Sequence, residues 1–543
     1  MLTRLYSPGS VLLLLAAVLF TLAHPAQAAW HKAETDRFII YSDSRAEDLA
    51  DFGDKLERFH QAMEQETGRQ LPVPSPSNRL TIYMVGSLDD LRRVYGRRNT
   101  SVGGFYIPRA NGSVTFVPNI NLRTQARVRT GTRARRSAAA PAIDFSFQTV
   151  LHEYAHHFLI SSTPFGMPRW LSEGSAEYFS SARFNDDGSV DIGLPNNNRA
   201  FEISQAAPVS VEALVDYEVY RKQRGGRYDA FYGRSWLLYH YLRFNAERSG
   251  QLPQYWQAVA SGTKSKEAAP IIFGDLDRLE KELKSYGRQK RMAGFRIPAS
   301  AFQIGNISVD RLESGHAEMM DVIIRSKRGV SRAEALELIE KARAVAQRYP
   351  GDADVQAALA EAEYDAGFDD KAIEAADRAI AIDPTTKNAF VQKGYALFRR
   401  AQEAEVPDQE AAYAAAMKPF EDLNALEADH TQPLVYYYRS YAERGLEVPE
   451  NAKFALERAL QLAPFDNDLA MNVAAMRARD GDTVVSGYIL GPVAANPHGG
   501  RQARIAQAMI EYLERAPEGL PADLGKVRQA FEAAEEQAQS SGG

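Results

Sequence analysis

The pattern of apolar and polar positions changes near residue 300, where strands mixed with helices give way to helices alone. Before that point, short apolar runs at residues 38–41 and 80–85 are bounded by polar and turn-forming residues, which predicts strands. Two further runs, at residues 103–107 and 114–117, flank an Ala-Asn-Gly turn and predict a β-hairpin. We therefore expect a sheet in the N-terminal part of the chain.

Helical periodicity marks two longer segments of the same part. Apolar residues recur every three or four positions over residues 46–66, and this spacing predicts an amphipathic helix. A second helix is predicted from about residue 144 to residue 160, with Leu151 and Phe158 available for packing. Helices and strands combined in this part predict a domain that mixes α and β structure, and we expect it to be an α+β domain built on a mixed sheet.

The C-terminal part contains a repeat. Pro350 and Pro384 are 34 residues apart, and Pro464 and Pro497 are 33 residues apart. Small residues between the first two prolines would let antiparallel helices approach closely, and a glycine stands where the chain would turn between them. The pattern resembles the tetratricopeptide repeat, which predicts an all-α solenoid of four to five helical pairs over residues 319–515.

The first 28 residues have the pattern of a secretory signal peptide. Arg4 is their only charge, residues 11–22 are apolar, and Ala26-Gln27-Ala28 matches the small-residue cleavage rule. Cleavage after Ala28 would release a periplasmic or secreted protein with no stable membrane anchor, and an uncleaved N-terminal anchor is the alternative.

Charge follows the same division. Residues 29–300 carry a net charge of +7 and residues 301–543 a net charge of −14, within a total of −6 that argues against nucleic-acid binding. The chain has no cysteine, which excludes disulfides, thiolate catalysis and zinc sites built from thiolates. Six arginines within residues 123–136 predict an exposed loop, for which binding to an anionic surface is the alternative.

Candidate chemistry lies in the predicted helix, at His152-Glu-Tyr-Ala-His156. Residues four apart share a helical face, so both imidazoles could bind one zinc ion. Glu153 is offset by one position and could act as the general base toward a zinc-activated water. His157 follows directly, but its direction on the helix predicts a packing role.

A second motif, Trp170-Leu-Ser-Glu173-Gly-Ser-Ala-Glu177, begins fourteen residues after His156. Glu173 could complete a His₂Glu site, which leaves a fourth position open for water and is typical of catalytic zinc. Glu177 lies one turn further on the same face, where it could accept a ring N–H from a ligand histidine. A solvated helix face is the alternative for both carboxylates.

At these residues the chain resembles the gluzincin zinc metallopeptidases, and in particular the peptidase MA-like family of exported bacterial proteins. The resemblance covers residues 30–300 and implies zinc bound by His152, His156 and Glu173. It also implies a residue that binds the oxyanion, for which Tyr232 is the match and Tyr228 the rival, and an edge strand that pairs with extended substrate within residues 103–117. The fold class that follows is an α+β metallopeptidase-like domain before a tetratricopeptide-repeat solenoid.

The sequence thus predicts five segments: a signal peptide at 1–28, the metallopeptidase-like domain at 29–300, a linker at 301–318, the repeats at 319–515, and a helical or disordered tail at 516–543. The expected function is hydrolysis of peptide or protein substrates by an exported zinc metallopeptidase, with the repeats recruiting a protein partner. Two alternatives remain open, namely an inactive peptidase-like scaffold whose repeats bind proteins, and a zinc amidase acting on cell-wall peptide.

Overall fold

The computed structural model describes residues 29–96, 102–119, 145–224, 228–289, 291–403, 408–496 and 498–541. The predicted signal peptide and the arginine-rich segment at residues 123–136 lie outside the described residues. None of the helices described is long and apolar enough to cross a membrane.

Six strands form the main sheet of the N-terminal part. They are β1 (His31–Glu34), β2 (Phe38–Ser42), β3 (Leu80–Val85), β4 (Phe105–Ile107), β5 (Val114–Pro118) and β9 (Ser308–Arg311). Their order is β4-β5-β3-β2-β1-β9, in which β2, β3 and β5 are parallel while β4, β1 and β9 run antiparallel to their neighbours. The predicted mixed sheet and the hairpin of β4 and β5 are confirmed.

Alternate side chains of β3 enter two different cores. Ile82 and Met84 face a core built with helices α1 (Ala46–Thr67) and α3 (Phe145–Ser162). Tyr83 and Val85 face the other side, where α2 (Leu88–Tyr95) covers them together with a later helix. Because both faces are covered, the central strands are buried on both sides, as is usual where parallel strands occur.

The segment between α3 and residue 300 is mostly helical and packs against α3 and the main core. It contains α4 (Arg169–Ser180), α5 (Asn197–Gln205), α6 (Val211–Val215), α7 (Tyr217–Arg224), α8 (Phe231–Phe244), α9 (Gln251–Ala260), α10 (Ser265–Phe273) and α11 (Leu276–Tyr286). A small antiparallel sheet is formed by β6 (Arg183–Phe184), β7 (Val190–Ile192) and β8 (Phe295–Ile297).

Helices alone make up the rest, and we call this part the helical array. Its helices are α12 (Ser314–Arg328), α13 (Arg332–Arg348), α14 (Ala353–Asp365), α15 (Asp369–Ile382), α16 (Lys387–Ala401), α17 (Gln409–Leu426), α18 (Thr431–Ala442), α19 (Glu450–Leu462), α20 (Asn467–Arg479), α21 (Thr483–Ala495), α22 (Gly500–Leu513) and α23 (Leu524–Ser541). Consecutive helices pack against each other, which confirms a solenoid-like array after the mixed sheet.

The array is longer at both ends than the sequence pattern predicts. Its twelve described helices form six consecutive pairs, where the sequence predicts four to five. Helix α12 begins before residue 319, and α23 occupies the predicted tail. Leu524 of α23 packs into the core of the preceding helices. The segment at residues 301–318, predicted to be a linker, instead contains β9, which pairs with β1. Four residues with two charges carry no alternation strong enough to reveal such a strand.

The array is docked along one side of the N-terminal part. Met320 and Ile324 of α12 cover the second face of the sheet, against Tyr83 and Val85. Further along, the Ser77 hydroxyl donates to Glu427 at 2.8 Å. The two parts of the chain therefore share a continuous interface rather than a flexible connection.

Candidate metal centre

Helix α3 places His152 and His156 side by side because they are four residues apart on one face. Their Nε2 atoms are 3.1 Å from each other. The helix is held by apolar residues on its other sides, among them Leu151 and Phe158, which are fully buried. The motif residues are therefore presented on a helix that packing keeps in place.

Helix α4 supplies the third group, Glu173. Residues 170–180 of this helix are all buried, so its carboxylates lie in the interior. Gly174 allows this packing, because a Cβ atom there would lie only 2.5 Å from the carbonyl oxygen of Ser235 on α8. The glycine that follows Glu173 in the motif thus lets two helices approach closely.

The donor atoms of His152, His156 and Glu173 converge on one point. Glu173 Oε2 lies 3.6 Å from His152 Nε2 and 3.4 Å from His156 Nε2, and the three ligand atoms form one cluster. A tetrahedral zinc ion with bonds of 2.0–2.1 Å would hold its donors about 3.3 Å apart. Neither oxygen of the fully buried Glu173 carboxylate makes a well-directed hydrogen bond with any residue that the structure describes. These residues fit a divalent metal ion, because a buried carboxylate otherwise requires partners.

A second carboxylate orients His152 from behind. Glu177 Oε1 lies 3.2 Å from His152 Nδ1, so the ring can donate its Nδ1–H there and leave Nε2 free for a metal. Glu177 is itself held by Arg199, at 2.5 Å, and by the Asn196 side chain, which donates at 2.9 Å. Burial favours the neutral acid, but His152 and Arg199 lower the pKa of Glu177 to about 2, so it is charged.

The electrostatic potential at the centre favours a cation. Burial alone would lower the pKa of His152, but the carboxylates of Glu177, Glu153 and Glu173 raise it to about 9. The same negative charge would stabilise a divalent ion, which binds the neutral imidazole and must displace its proton.

The structure separates the two tyrosine candidates. Tyr232 is half-buried beside the centre, where burial and the negative charge of Glu173 raise its pKa to about 12. Its ring lies 5.1 Å from the guanidinium carbon of Arg199. Tyr228 is 71% exposed, and Glu202 is the carboxylate that raises its pKa most. Of the two tyrosines, only Tyr232 is electrostatically affected by a residue of the candidate ligand set.

A cleft of about 550 Å³ opens beside the centre. Glu153 and His156 line one side of it, and β4 with its flanking residues lines another. Strand β4 is the last strand of the main sheet, and no other strand among the described residues pairs with its outer edge. The cleft therefore combines a candidate general base with an edge strand open to pairing.

Two other histidines of this part, His157 and His240, are held by hydrogen bonds and packing. His157 Nδ1 lies 2.7 Å from the Tyr106 hydroxyl, and its ring contacts Phe465 of the helical array. His240 is fully buried, with Nδ1 2.8 Å from the Tyr286 hydroxyl and Nε2 2.9 Å from the carbonyl oxygen of Gly193. Both therefore lie outside the ligand set, as the motif predicts for His157.

The structure adds one histidine, His498, that has no partner pattern in the sequence. His498 lies in the turn between α21 and α22, and its Nε2 is 3.1 Å from Glu173 Oε1. The same cleft that Glu153 lines is also lined by His498. Ser172, whose hydroxyl is 3.3 Å from His156 Nδ1, and the Arg199 and Asn196 side chains were likewise not predicted. Only Ser172 had a sequence signal, since it stands beside Glu173 in the motif.

Comparison with known proteins identifies similarity only to solved structures. No family model matches the chain, and no curated protein matches it. One similar structure is a thermophilic TPR protein from Thermus thermophilus, at 14% identity and a TM-score of 0.28, covering 36% of this chain and 95% of that one. Another is MamA, at 15% identity and a TM-score of 0.26, covering 34% of this chain and 96% of that one. These similarities concern about a third of the chain.

Proposed function

We propose that this protein is a zinc-dependent metallopeptidase that hydrolyses peptide bonds in the cleft between the metal centre and β4. The observation that carries the proposal is that His152 Nε2, His156 Nε2 and Glu173 Oε2 lie 3.1–3.6 Å from one another. The Glu173 carboxylate, although buried, makes no well-directed hydrogen bond with a described residue. Three protein ligands leave a position for water, which distinguishes catalytic zinc sites from structural ones.

Glu153 would transfer the protons. A zinc ion in such a site acts as a Lewis acid and makes water nucleophilic near neutral pH. Glu153 faces the cleft one position along the helix from His152, where its carboxylate can accept a proton from the attacking water. The same group can then deliver that proton to the departing amine, which completes the hydrolysis of the peptide bond.

Two further features suit a polypeptide substrate. An extended peptide could pair with the outer edge of β4 and present successive side chains to either wall of the cleft. The Tyr232 hydroxyl, with its raised pKa, stays protonated and could donate a hydrogen bond to the oxyanion that forms at the carbonyl. Both features would act on the carbonyl and backbone of the substrate, so they favour peptides over other amides.

The helical array would bind a protein partner or the substrate. A cavity of about 400 Å³ between α17 and α18 is lined by Tyr413, Met417, Tyr437 and Tyr441. The Tyr437 and Tyr441 rings are partly exposed, and together with a flexible methionine they provide the kind of surface that holds peptide segments. No cluster of three or more metal-ligating side chains occurs among the described residues of the array. The array is therefore proposed to recruit rather than to catalyse.

Metal analysis combined with a matched pair of variants tests the proposal. We expect one zinc ion per chain in the wild type, most of it lost in His156→Ala, and full zinc in Glu153→Gln with at least about 10²-fold slower cleavage of an unbiased peptide library. Glutamine is nearly isosteric with glutamate but cannot accept the proton. Turnover near the wild-type rate in Glu153→Gln would refute the assigned base.

The same experiment separates the alternatives. Zinc in the wild type without hydrolysis of any peptide would indicate a scaffold whose array binds proteins. Hydrolysis of peptidoglycan fragments but not of casein would indicate a zinc amidase that acts on cell-wall peptide. Full zinc occupancy in His156→Ala would mean that the metal is bound at another site.

A further inference from the structure

His498 connects the far end of the helical array to the candidate metal centre. It stands in the turn between α21 and α22, yet its Nε2 lies 3.1 Å from Glu173 Oε1. The His498 side chain is 58% exposed and borders the cleft, whereas the Glu173 side chain is fully buried. An exposed side chain from one part of the molecule therefore contacts a buried carboxylate of the other.

The two oxygens of Glu173 face different partners. Oε2 points toward the Nε2 atoms of His152 and His156, at 3.6 and 3.4 Å. Oε1 points toward His498. A carboxylate with one oxygen directed at a ligand cluster and the other at an imidazole is restrained in rotation. Outer contacts of this kind orient a ligand and raise its affinity for a metal.

The turn that carries His498 is positioned by close packing. A Cβ atom on Gly166, in the loop before α4, would lie 2.5 Å from the carbonyl oxygen of Gly491 on α21. The backbone N–H of His498 donates to the Asn496 side chain at 2.9 Å. The place of the imidazole is therefore set by how the end of the array docks on the loop that leads into α4.

We propose that His498 is a positioning residue for the metal ligand Glu173, and that metal binding and docking of the α21–α22 end of the array strengthen each other. The inference rests on the proposed function, since it requires a metal at the centre. If docking raises the affinity for the metal, the metal must stabilise docking by the same factor, because the coupling of two binding equilibria is reciprocal. A partner or substrate that moves this turn would then change the occupancy of the centre.

The affinity of the full-length protein for Zn²⁺, measured by competition with a chelator, tests the first half of the proposal. We expect His498→Ala to weaken binding about 10–100-fold, the usual effect of losing an outer contact to a metal ligand. His498→Gln, whose amide can restore a polar contact with Glu173 Oε1, should recover a large part of this loss. His316→Ala is the matched control, because His316 also pairs with a carboxylate, Asp354 at 3.0 Å, but on α12 and α14.

Two further readouts address position and docking. Substitution with Co²⁺ should give a visible absorption spectrum that differs between wild type and His498→Ala and is partly restored in His498→Gln. Hydrogen exchange of the segment from α21 to α22 should slow when Zn²⁺ is added to the wild type, and should respond less in His498→Ala. If His498 served only in folding, wild type and His498→Ala would give the same cobalt spectrum, and His498→Gln would have no difference to restore.

Each outcome decides between the two hypotheses. Equal Zn²⁺ affinity and equal cobalt spectra in wild type and His498→Ala would overturn the positioning role while leaving the metallopeptidase proposal intact. A wild-type protein that binds no metal would overturn both. Weaker binding in His498→Ala with rescue by His498→Gln, but with no change in the His316→Ala control, would support the positioning role. Exchange from α21 to α22 that slows with Zn²⁺ in the wild type and less in His498→Ala would support the coupling, and exchange that Zn²⁺ does not change would overturn it.

Discussion

Glu173 is the residue on which most of the centre depends. It is fully buried, it faces both ligand histidines with one oxygen and His498 with the other, and the histidines hold its pKa well below its usual range although burial opposes this. A buried charge without compensation costs several kcal/mol. Nearby positive groups or a metal ion must therefore offset the cost of burying the charged Glu173 carboxylate on α4.

The oxyanion role is tested by a pair of single-atom changes. Tyr232→Phe should lower kcat about 10²–10³-fold with little change in KM, because its hydroxyl would bind only the charge that develops in the transition state. Tyr228→Phe is the matched control, since Tyr228 is exposed and is expected to leave both constants unchanged. Steady-state kinetics on a peptide substrate decide the matter, and a loss of activity in Tyr228→Phe alone would reverse the assignment.

Local spacing was sufficient to predict which residues converge at the centre, but not all of their neighbours. His152 and His156 share a helical face, and the second motif stands on the next helix, so the sequence already places Glu173 and Glu177 close by. His498 follows a proline in a turn of the array and has no periodic partner. Its contact with Glu173 depends on how the array docks, which no local pattern encodes.

At the scale of single elements, the N-terminus of α18 contains a buried histidine that should respond to pH. His430 caps this helix, because its Nδ1 accepts a hydrogen bond from the N–H of Gln432 at 3.3 Å. Burial lowers the pKa of His430 to about 4. The positive charge of Lys387 lowers this pKa further, whereas the negative charge of Glu427 opposes the shift. A protonated ring could no longer accept at Nδ1, so acid should weaken the cap.

We therefore predict that stability falls as the pH drops from about 6.5 to about 4. The unfolded chain binds a proton at His430 near pH 6.5 while the folded chain does so only near pH 4, so the unfolded state gains protons first. The loss is at most about 3 kcal/mol. In His430→Asn the cap is retained without titration, and urea midpoints at pH 7, 5.5 and 4.5 should vary less than in the wild type. An equal pH dependence in both proteins would show that other groups dominate.

Elements with strong periodicity were predicted well, and short ones were not. The helix over residues 46–66 and the strand Leu80–Val85 agree with α1 and β3 almost to the residue. The strands β6, β7, β8 and β9 have two to four residues each. β6 pairs with β7 in a short local hairpin, whereas β8 and β9 pair with strands that lie far away in sequence. Such strands form because a neighbouring edge is available, which is a property of the tertiary structure.

At the scale of the whole molecule, the position of the boundary between the two parts is testable. A fragment of residues 29–300 lacks β9 and the helix α12, whose Met320 and Ile324 cover the second face of the sheet. A fragment of residues 29–330 retains them. We expect the shorter fragment to be less stable by several kcal/mol, since each buried Met or Ile contributes about 2 kcal/mol. Thermal unfolding followed by circular dichroism compares the two, and equal midpoints would contradict the assigned role of α12.

The outer edge of β4 has a consequence for the solubility of the protein. An unpaired edge strand offers a row of backbone donors and acceptors to any other extended chain, including the same strand of a second copy, and proteins that leave such edges open are prone to aggregate. Here the edge lies inside the cleft, with Phe465, Pro492 and His498 of the helical array on the facing wall. We expect these residues to hinder the approach of the same edge from a second copy, whereas a single extended chain would need less room to reach β4. The docked array would then protect the β4 edge from sheet-to-sheet aggregation while leaving it accessible to a single strand.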